Sequence, residues 1–272
     1  MDRGLHDAGR AGVALPRDAL RVSHRPVGVL AASTAGPWLG STHAHHGAAR
    51  SGTVGTVGPM SDTGYGDFEF ERRFFVDRTP VDLLEAAPTL IVQSYLLAED
   101  GFAVRVRAQA TGVTGVDPTL DELALLEAHV GAVDFCAITV KGPMVEGTRY
   151  EAERELDPLV AVEIVRRAPA RVAKLRHSAW LGADGWVIDV FAGGNAPLVV
   201  AEVERGGPVT DLVVPDFCTT EVTTDGRFAN DGLARRPFGG WASAWSAELA
   251  ATGPRFLSGL GHNHLPGEPD AH

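Results

Sequence analysis

The chain has 272 residues and carries 24 Lys and Arg against 35 Asp and Glu, a formal net charge of −11. That length holds one large domain or two small ones, and the acidic balance argues against a general nucleic-acid binder or a basic membrane-surface protein. No apolar run approaches the roughly 18 residues of a membrane helix, and Cys136 and Cys218 make no disulfide framework, so the expectation is a cytoplasmic protein with reduced thiols.

Charge is unevenly spread. Residues 1–59 hold six Arg and three Asp, which makes them +3 and the remainder −14. Of the 24 basic residues only Lys141 and Lys174 are lysines, so a compact ammonium is singled out at two places. Residues 1–62 are rich in Gly, Pro and His without a sustained period and read as a disordered extension, with Met60 as an alternative start. His43, His45 and His46 fall in this Gly/Ala/Ser tract and read as solvated side chains rather than metal ligands. A domain is expected over 63–240 and a tail over 241–272, loose from Ala251 onward.

Order begins with a strand over Phe68–Val76. Thr79-Pro80 then opens a short helix, Val81–Ala86. Leu90–Leu97 and Ala103–Ala110 are strands joined through Glu99-Asp100-Gly101, a hairpin turn signal. Helical spacing runs over Asp117–His129, with Asp117 as the N-cap. Phe135–Lys141 and Arg149–Leu156 are strands around the Gly142-Pro143 break. Asp157-Pro158 opens a helix reaching about Ala168. Arg171–Trp180, Trp186–Phe191 and Leu198–Glu204 follow as strands, then a short one at Phe217–Thr223. Residues 227–250 read as irregular to helical. About eight antiparallel strands with few helices between them exclude a doubly wound parallel sheet.

The informative feature is what alternates. Side chains i, i+2 and i+4 of a strand share one face. In the first, third, fifth, sixth and eighth strands that face is Glu69, Glu71, Arg73; then Arg105, Arg107; then Arg149, Glu151, Glu153; then Lys174, Arg176; then Glu202, Glu204. Lys141 ends one strand and Asp189 lies within another. The intervening residues are mostly apolar, among them Phe68, Phe70, Val104, Val106, Ile188, Val190 and Val203. An ordinary sheet with one wet face would also alternate. Two points favour another arrangement. The wet residues are nearly all Glu, Arg or Lys rather than Thr and Ser, and the helices need an apolar face to cover. Covered on that face, a sheet of eight strands closes into a barrel whose charged side is the lumen. The fold class is therefore α+β, mainly antiparallel: a closed eight-stranded, tunnel-like barrel with helices outside.

Such a lumen gathers Arg73, Arg105, Arg107, Lys141, Arg149, Lys174 and Arg176 beside about six carboxylates. Arg and Lys donors suit the oxygens of a polyphosphate. Carboxylates beside that anion make sense with a hard cation between them, and Mg²⁺ favours one or two carboxylates with phosphate oxygens and water. The residues point to a metal-assisted phosphoanhydride site.

The same residues carry a resemblance. Glu69-Phe-Glu71-Arg-Arg73 resembles the E-x-E-x-K signature of the CYTH domain, the triphosphate tunnel metalloenzymes. In order, Ile91-Val-Gln93-Ser-Tyr95-Leu96 is similar to I-x-Q-x-Y-L, Arg105-Val-Arg107 to R-x-R, and Ile138-Thr139-Val140-Lys141 to I-T-x-K. Arg149-Tyr-Glu151-Ala-Glu153 is similar to R-x-E-x-E and Lys174-Leu-Arg176 to K-x-R. Asp189, Glu202, Glu204, Glu221 and Arg227-Phe-Ala-Asn230 continue the series, which covers about residues 67–235.

The resemblance implies a closed tunnel that binds a triphosphate-containing small molecule, with Mg²⁺ or Mn²⁺. It implies no specific nucleic acid and no membrane. By motif, Glu69, Glu71 and Glu204 hold one metal, while Glu151 and Glu153 help place a second metal and the attacking water. Glu202 and Asp189 either ligate metal or orient neighbouring Arg. The seven cations neutralise the phosphate chain. One position departs from the pattern: the signature lysine is Arg73. In the family that lysine is thought to work with the tyrosine matching Tyr95 to prepare the water. Arg73 cannot act as a base, but it can anchor a phosphoryl oxygen and lower the pKa of Tyr95. The expected activity is hydrolysis of the terminal anhydride of a triphosphate, inorganic tripolyphosphate first. Alternatives are a thiamine triphosphatase or nucleotide triphosphatase, a class IV-type adenylate cyclase, and a non-catalytic polyphosphate-binding module.

Overall fold

The computed structural model describes residues 68–85 and 87–265. The expectations for residues 1–62, including the Met60 start and the three histidines, lie outside that range. Eight antiparallel strands form the wall: β1 (Phe68–Phe75), β2 (Thr89–Glu99), β3 (Phe102–Ala110), β4 (Phe135–Lys141), β5 (Thr148–Glu155), β6 (Arg171–Leu181), β7 (Asp184–Phe191) and β8 (Val199–Arg205). Their order is β5-β4-β3-β2-β6-β7-β8-β1, and β1 pairs back onto β5, which closes the barrel. Closure leaves the wall without a long free edge.

The seam is shared. Phe68, Glu69 and Phe70 pair with Tyr150, Arg149 and Thr148 of β5, whereas Phe74 and Phe75 pair with the two-residue strand β9 (Thr220–Glu221). The turn before β5 is pressed against this seam. Gly147 has φ +77°, its carbonyl accepts from the Glu71 amide at 2.9 Å, and a Cβ there would lie 2.9 Å from the Glu71 carbonyl oxygen. A side chain at 147 would push β5 off β1. The β2–β3 hairpin turns on Asp100 and Gly101, both at positive φ (50° and 82°). That is the chemistry of a tight hairpin, as the Asp-Gly pair predicts.

Helix α1 (Glu122–His129) starts later than its spacing suggests. Asp121 caps it by accepting from the Ala124 amide at 2.8 Å, while Asp117 closes a separate turn on Thr119. Both aspartates can cap locally, and only tertiary packing chooses between them. Helix α2 (Pro158–Arg167) begins on its Asp157 cap, with Pro158 at the first position. Val81–Leu83 is a single 3₁₀ turn rather than a helix to residue 86. Two further helices follow β9: α3 (Asn230–Arg235) and α4 (Ala242–Thr252).

Apolar residues pack into three clusters, two of them on the outward face of the wall and the third around Phe75, on the face of β1 that Glu71 and Arg73 share. Helices α1 and α2 bury Leu125, Leu126, Val162 and Val165 on Leu90, Val92, Val106 and Ala173. Phe70, Phe74, Trp186 and Ile188 are covered by Val209, Leu212 and Val214 from a stretch of chain without helix, so cover there does not come from a helix as expected. Phe75, Phe228, Phe238, Trp241 and Trp245 form an aromatic cluster with edge-on contacts down to 4.7 Å. Each such buried ring contributes about 1.5–3 kcal/mol.

Where a loose tail is expected from Ala251, residues 253–265 run back over the barrel. The Arg255 amide donates to Thr220 Oγ1, the Leu257 amide to Glu221, and Asn263 accepts from Arg72. The reason is a buried pair on the outer face of β1. Arg72 is fully buried and grips Glu221 through two hydrogen bonds of 2.8 and 2.6 Å. A buried ion pair needs its remaining donors and acceptors met, and residues 257–263 meet them. Among the described residues, no helix is long and apolar enough to cross a membrane.

Candidate functional site

The strand pleat turns the charged set inward, and the register sets opposite signs side by side. Glu69 faces Arg149, Lys141 faces Glu151, Arg176 faces Asp189, and Arg73 faces Glu202. Glu71 faces Glu204, a like-charge pair that would be unfavourable alone. The result is a narrow cavity of about 100 Å³ inside the barrel. It is lined by Glu69, Glu71, Arg105, Arg107, Lys141, Arg149, Lys174, Arg176, Glu202 and Glu204 from the predicted set. Glu151 and Glu153 line a wider adjoining cavity of about 270 Å³, which shares Glu69, Arg105, Arg107, Arg176 and Glu204 with the first.

At one end the carboxylates dominate. Lys141 Nζ donates to Glu69 at 2.9 Å and lies 2.6 Å from Glu151, and Arg149 donates to Glu69 at 2.7 Å and to Glu71 at 3.0 Å. Burial works against the Glu69 carboxylate, but Lys141 and Arg149 outweigh it and hold the carboxyl well below the usual range. Glu151 is shifted upward, by burial first. Glu204 is pushed up to about 7 by burial and then by Glu69, Glu71 and Glu151.

At the other end two cations clamp one buried acid. Asp189 is fully buried, and both Lys174 and Arg176 hydrogen bond to it, Arg176 at 2.8 and 2.7 Å. Their charges overcome burial and hold Asp189 well below its usual range. Arg176 also reaches Glu202 at 2.9 Å. Asp189 lines neither cavity. Between the two ends, Arg107 meets Glu153 at 3.0 Å and Arg105 approaches Glu151 at 3.5 Å.

Arg73 and Tyr95 stand apart. The Arg73 guanidinium turns away from both cavities and donates to the carbonyls of Thr223 at 2.9 Å and Phe228 at 3.2 Å. Tyr95 accepts from Gln93 Nε2 at 3.0 Å, and burial pushes its hydroxyl up to about 12 against the pull of Arg105. The expected lowering of Tyr95 by Arg73 is therefore not seen: burial dominates, and Arg73 is occupied with backbone carbonyls.

Three neutral residues of the lumen were not singled out by charge. Gln93 lines the cavity, bridges Tyr95 and receives Arg105 at 3.3 Å. Thr139 donates to Glu153 at 2.8 Å. Asn230, from the start of α3, lines the cavity with its Oδ1 3.5 Å from Lys174 Nζ. Their signal was position: Gln93 and Thr139 lie two residues from Tyr95 and Lys141 and therefore on the same strand face. His177, on the opposite face of β6, is buried because the chain at residue 85 covers it and donates its amide to Nδ1 at 2.9 Å.

The donor set discriminates between ligands. Arg105 Nε and Arg107 Nε are buried with no hydrogen-bond partner, a deficit that an oxyanion would relieve. Among the described residues no three His, Cys, Asp or Glu side chains already converge as a metal cage, because Lys141 and Arg149 stand between the carboxylates. The acid-rich end nonetheless offers oxygen donors only, with Glu204 crowded by three other acids. That chemistry fits a hard divalent cation rather than a soft one.

No protein-family model matches the chain. It is 33% identical over 103 residues to an inorganic triphosphatase of Acetivibrio thermocellus, a match covering 37% of this chain and 66% of that protein. It is 29% identical over 171 residues to an inorganic triphosphatase of Nitrosomonas europaea, covering 61% of this chain and 96% of that one. A crystal structure of an inorganic triphosphatase aligns at 26% identity and a TM-score of 0.41, over 61% of this chain and 93% of the other.

Proposed function

The chain belongs to the CYTH-domain family of triphosphate tunnel metalloenzymes, and we propose that it hydrolyses the terminal phosphoanhydride bond of a triphosphate, inorganic tripolyphosphate first, with Mg²⁺ or Mn²⁺. The observation that carries this reading is the enclosed cavity in which Arg105, Arg107, Lys141, Arg149, Lys174 and Arg176 meet Glu69, Glu71 and Glu204. Both curated relatives described above bear the name inorganic triphosphatase, which supports the same chemistry.

In this reading the six cavity cations bind the phosphate chain and spread its charge, with Arg105 and Arg107 offering their unpaired Nε–H groups to its oxygens. Lys174 and Arg176 are held in place by Asp189, so their orientation is fixed before substrate enters. Glu69, Glu71 and Glu204 would hold a divalent cation, with Glu202 beside them. A cation bound there supplies charge neutralisation for the anhydride oxygens. Glu151 and Glu153, in the wider adjoining cavity, orient the attacking water. Water adds in line at the terminal phosphorus, the bridging P–O bond breaks, and orthophosphate and pyrophosphate leave.

The test is phosphate release from tripolyphosphate with either metal, run beside ATP and thiamine triphosphate. Turnover of tripolyphosphate that Glu71→Ala abolishes is the expected result. Tight tripolyphosphate binding without turnover on any of the three substrates would replace this reading with a binding module.

A further inference from the structure

We infer that Arg73 is a positioning residue, which pins the strap of residues 223–230 across the tunnel wall and so sets Asn230 against Lys174. The inference rests on the triphosphatase reading only for its kinetic consequences; the structural part stands without it. Arg73 belongs to the inward face of β1, between Glu71 and Phe75, and only 4% of it is exposed. Its strand position would aim it at the lumen. There both terminal nitrogens donate to two backbone carbonyls, those of Thr223 and Phe228. The Glu71 carboxylate pairs with Nε at 3.6 Å, beyond hydrogen-bond reach, so Nε has no hydrogen-bond partner.

The Arg73 side chain adds a grip on the Phe228 carbonyl to the holds that the strap has elsewhere. The strap's start is tied to the β1 backbone, where the Val222 amide donates to the Arg73 carbonyl and the Arg73 amide to Thr223 Oγ1, and Arg227 pairs with Glu248 at 2.7 Å; its remaining backbone bonds are local: Asp225 to Val222, Phe228 to Asp225 and Ala229 to Gly226. The Phe228 ring packs into the aromatic cluster, against Trp245 and Trp241. The carbonyl of the same residue points back to Arg73. Two residues further on, Asn230 enters the cavity wall and Lys174 Nζ approaches its Oδ1. A planar fork can span two carbonyls at once, and a lysine ammonium on a flexible stem reaches one of them with far less definition. The geometry thus gives a use for arginine at this position that has nothing to do with preparing water.

The test measures hydrogen exchange of the full-length chain without substrate, then steady-state kinetics, in Arg73→Lys, Arg73→Met and Asn230→Ala. Amides of residues 222–230 should exchange at least tenfold faster in Arg73→Met, and faster than wild type in Arg73→Lys, while those of β3 and β6 keep their rates. KM for tripolyphosphate should rise about tenfold in Arg73→Met, and kcat should keep the pH profile of wild type. Asn230→Ala should reproduce the KM rise without altering exchange, and the double variant should be no worse than Arg73→Met. Unchanged exchange together with a lost limb of the pH profile would overturn the inference and return Arg73 to the substrate. Should Arg73→Met not fold, Arg73→Lys decides alone: faster exchange supports the strap, and normal exchange with higher kcat refutes it. Absence of turnover in wild type would overturn the triphosphatase reading and leave the exchange result standing.

Discussion

The two ends of the tunnel are built from the same residue types in opposite proportion. Around β1 and β5, Glu69, Glu71, Glu151 and Glu204 share Lys141 and Arg149. Around β6 and β7, Lys174 and Arg176 share the buried Asp189, with Glu202 on the flank. The first end is short of positive charge, and Glu204 registers the shortage by moving up to about 7. The second is satisfied, and Asp189 moves down. One lumen therefore holds an acid-rich end and a charge-compensated end.

The largest effect is expected where the satisfied end is broken. Asp189→Asn leaves Lys174 and Arg176 buried against a neutral partner and should lower unfolding stability by about 3–5 kcal/mol, read as a drop in the urea midpoint. An unchanged midpoint would mean that the clamp is not a fixed structure. Glu71→Gln, at the acid-rich end, should instead leave folding intact and reduce kcat for tripolyphosphate by about 10²–10³-fold. Equal loss from a change at either end would erase the distinction between them.

A smaller effect separates the ends by ligand. Mg²⁺ or Mn²⁺ without substrate should raise the melting temperature, by the equivalent of about 2.7 kcal/mol at a hundredfold excess over its dissociation constant. EDTA should reverse the gain, and Glu204→Gln should shrink it. A metal-induced shift that survives Glu204→Gln but vanishes in Glu202→Gln would move the cation toward the β6–β7 end.

The smallest effect lies in the wall itself. Burial holds His177 below its ordinary value of 6.5, so the folded protein prefers the neutral ring. The unfolded chain then takes up the proton first, and stability should decline as the pH falls below 6.5 until the folded imidazole also titrates. His177→Gln should flatten that part of the curve while leaving the rest of the pH dependence in place.

The barrel and its charged lumen were legible because a strand repeats every two residues, and Glu, Arg and Lys recur at that period in β1, β3, β5, β6 and β8. What escaped were groups whose roles depend on chain far away in sequence. Arg73 follows the inward period of β1, yet its partners are carbonyls 150 and 155 residues further on. Arg72 reads as an ordinary outer-face residue, and only Glu221 with Asn263 makes it a buried anchor that orders residues 253–265. Gln93 and Asn230 are neutral, so a search by charge passes over them, although the resemblance quotes both. The cover over Trp186 and Ile188 has no helical period to detect, because residues 209–214 supply it as irregular chain.

The shared seam on β1 also bears on how the site comes into being. The Glu69–Arg149 contact joins residues 80 apart in sequence, and the Arg72–Glu221 contact joins residues 149 apart. Closing such long loops is entropically unfavourable and is rewarded only when strand pairing is complete. Strands β2 to β4 can zip through neighbouring hairpins, but Glu69 and Glu71 reach Lys141 and Arg149 only once β1 docks. The acid-rich end is therefore complete only when β1 closes the barrel, and a chain that has folded everything except β1 has the Lys174–Asp189–Arg176 clamp without Glu69 and Glu71.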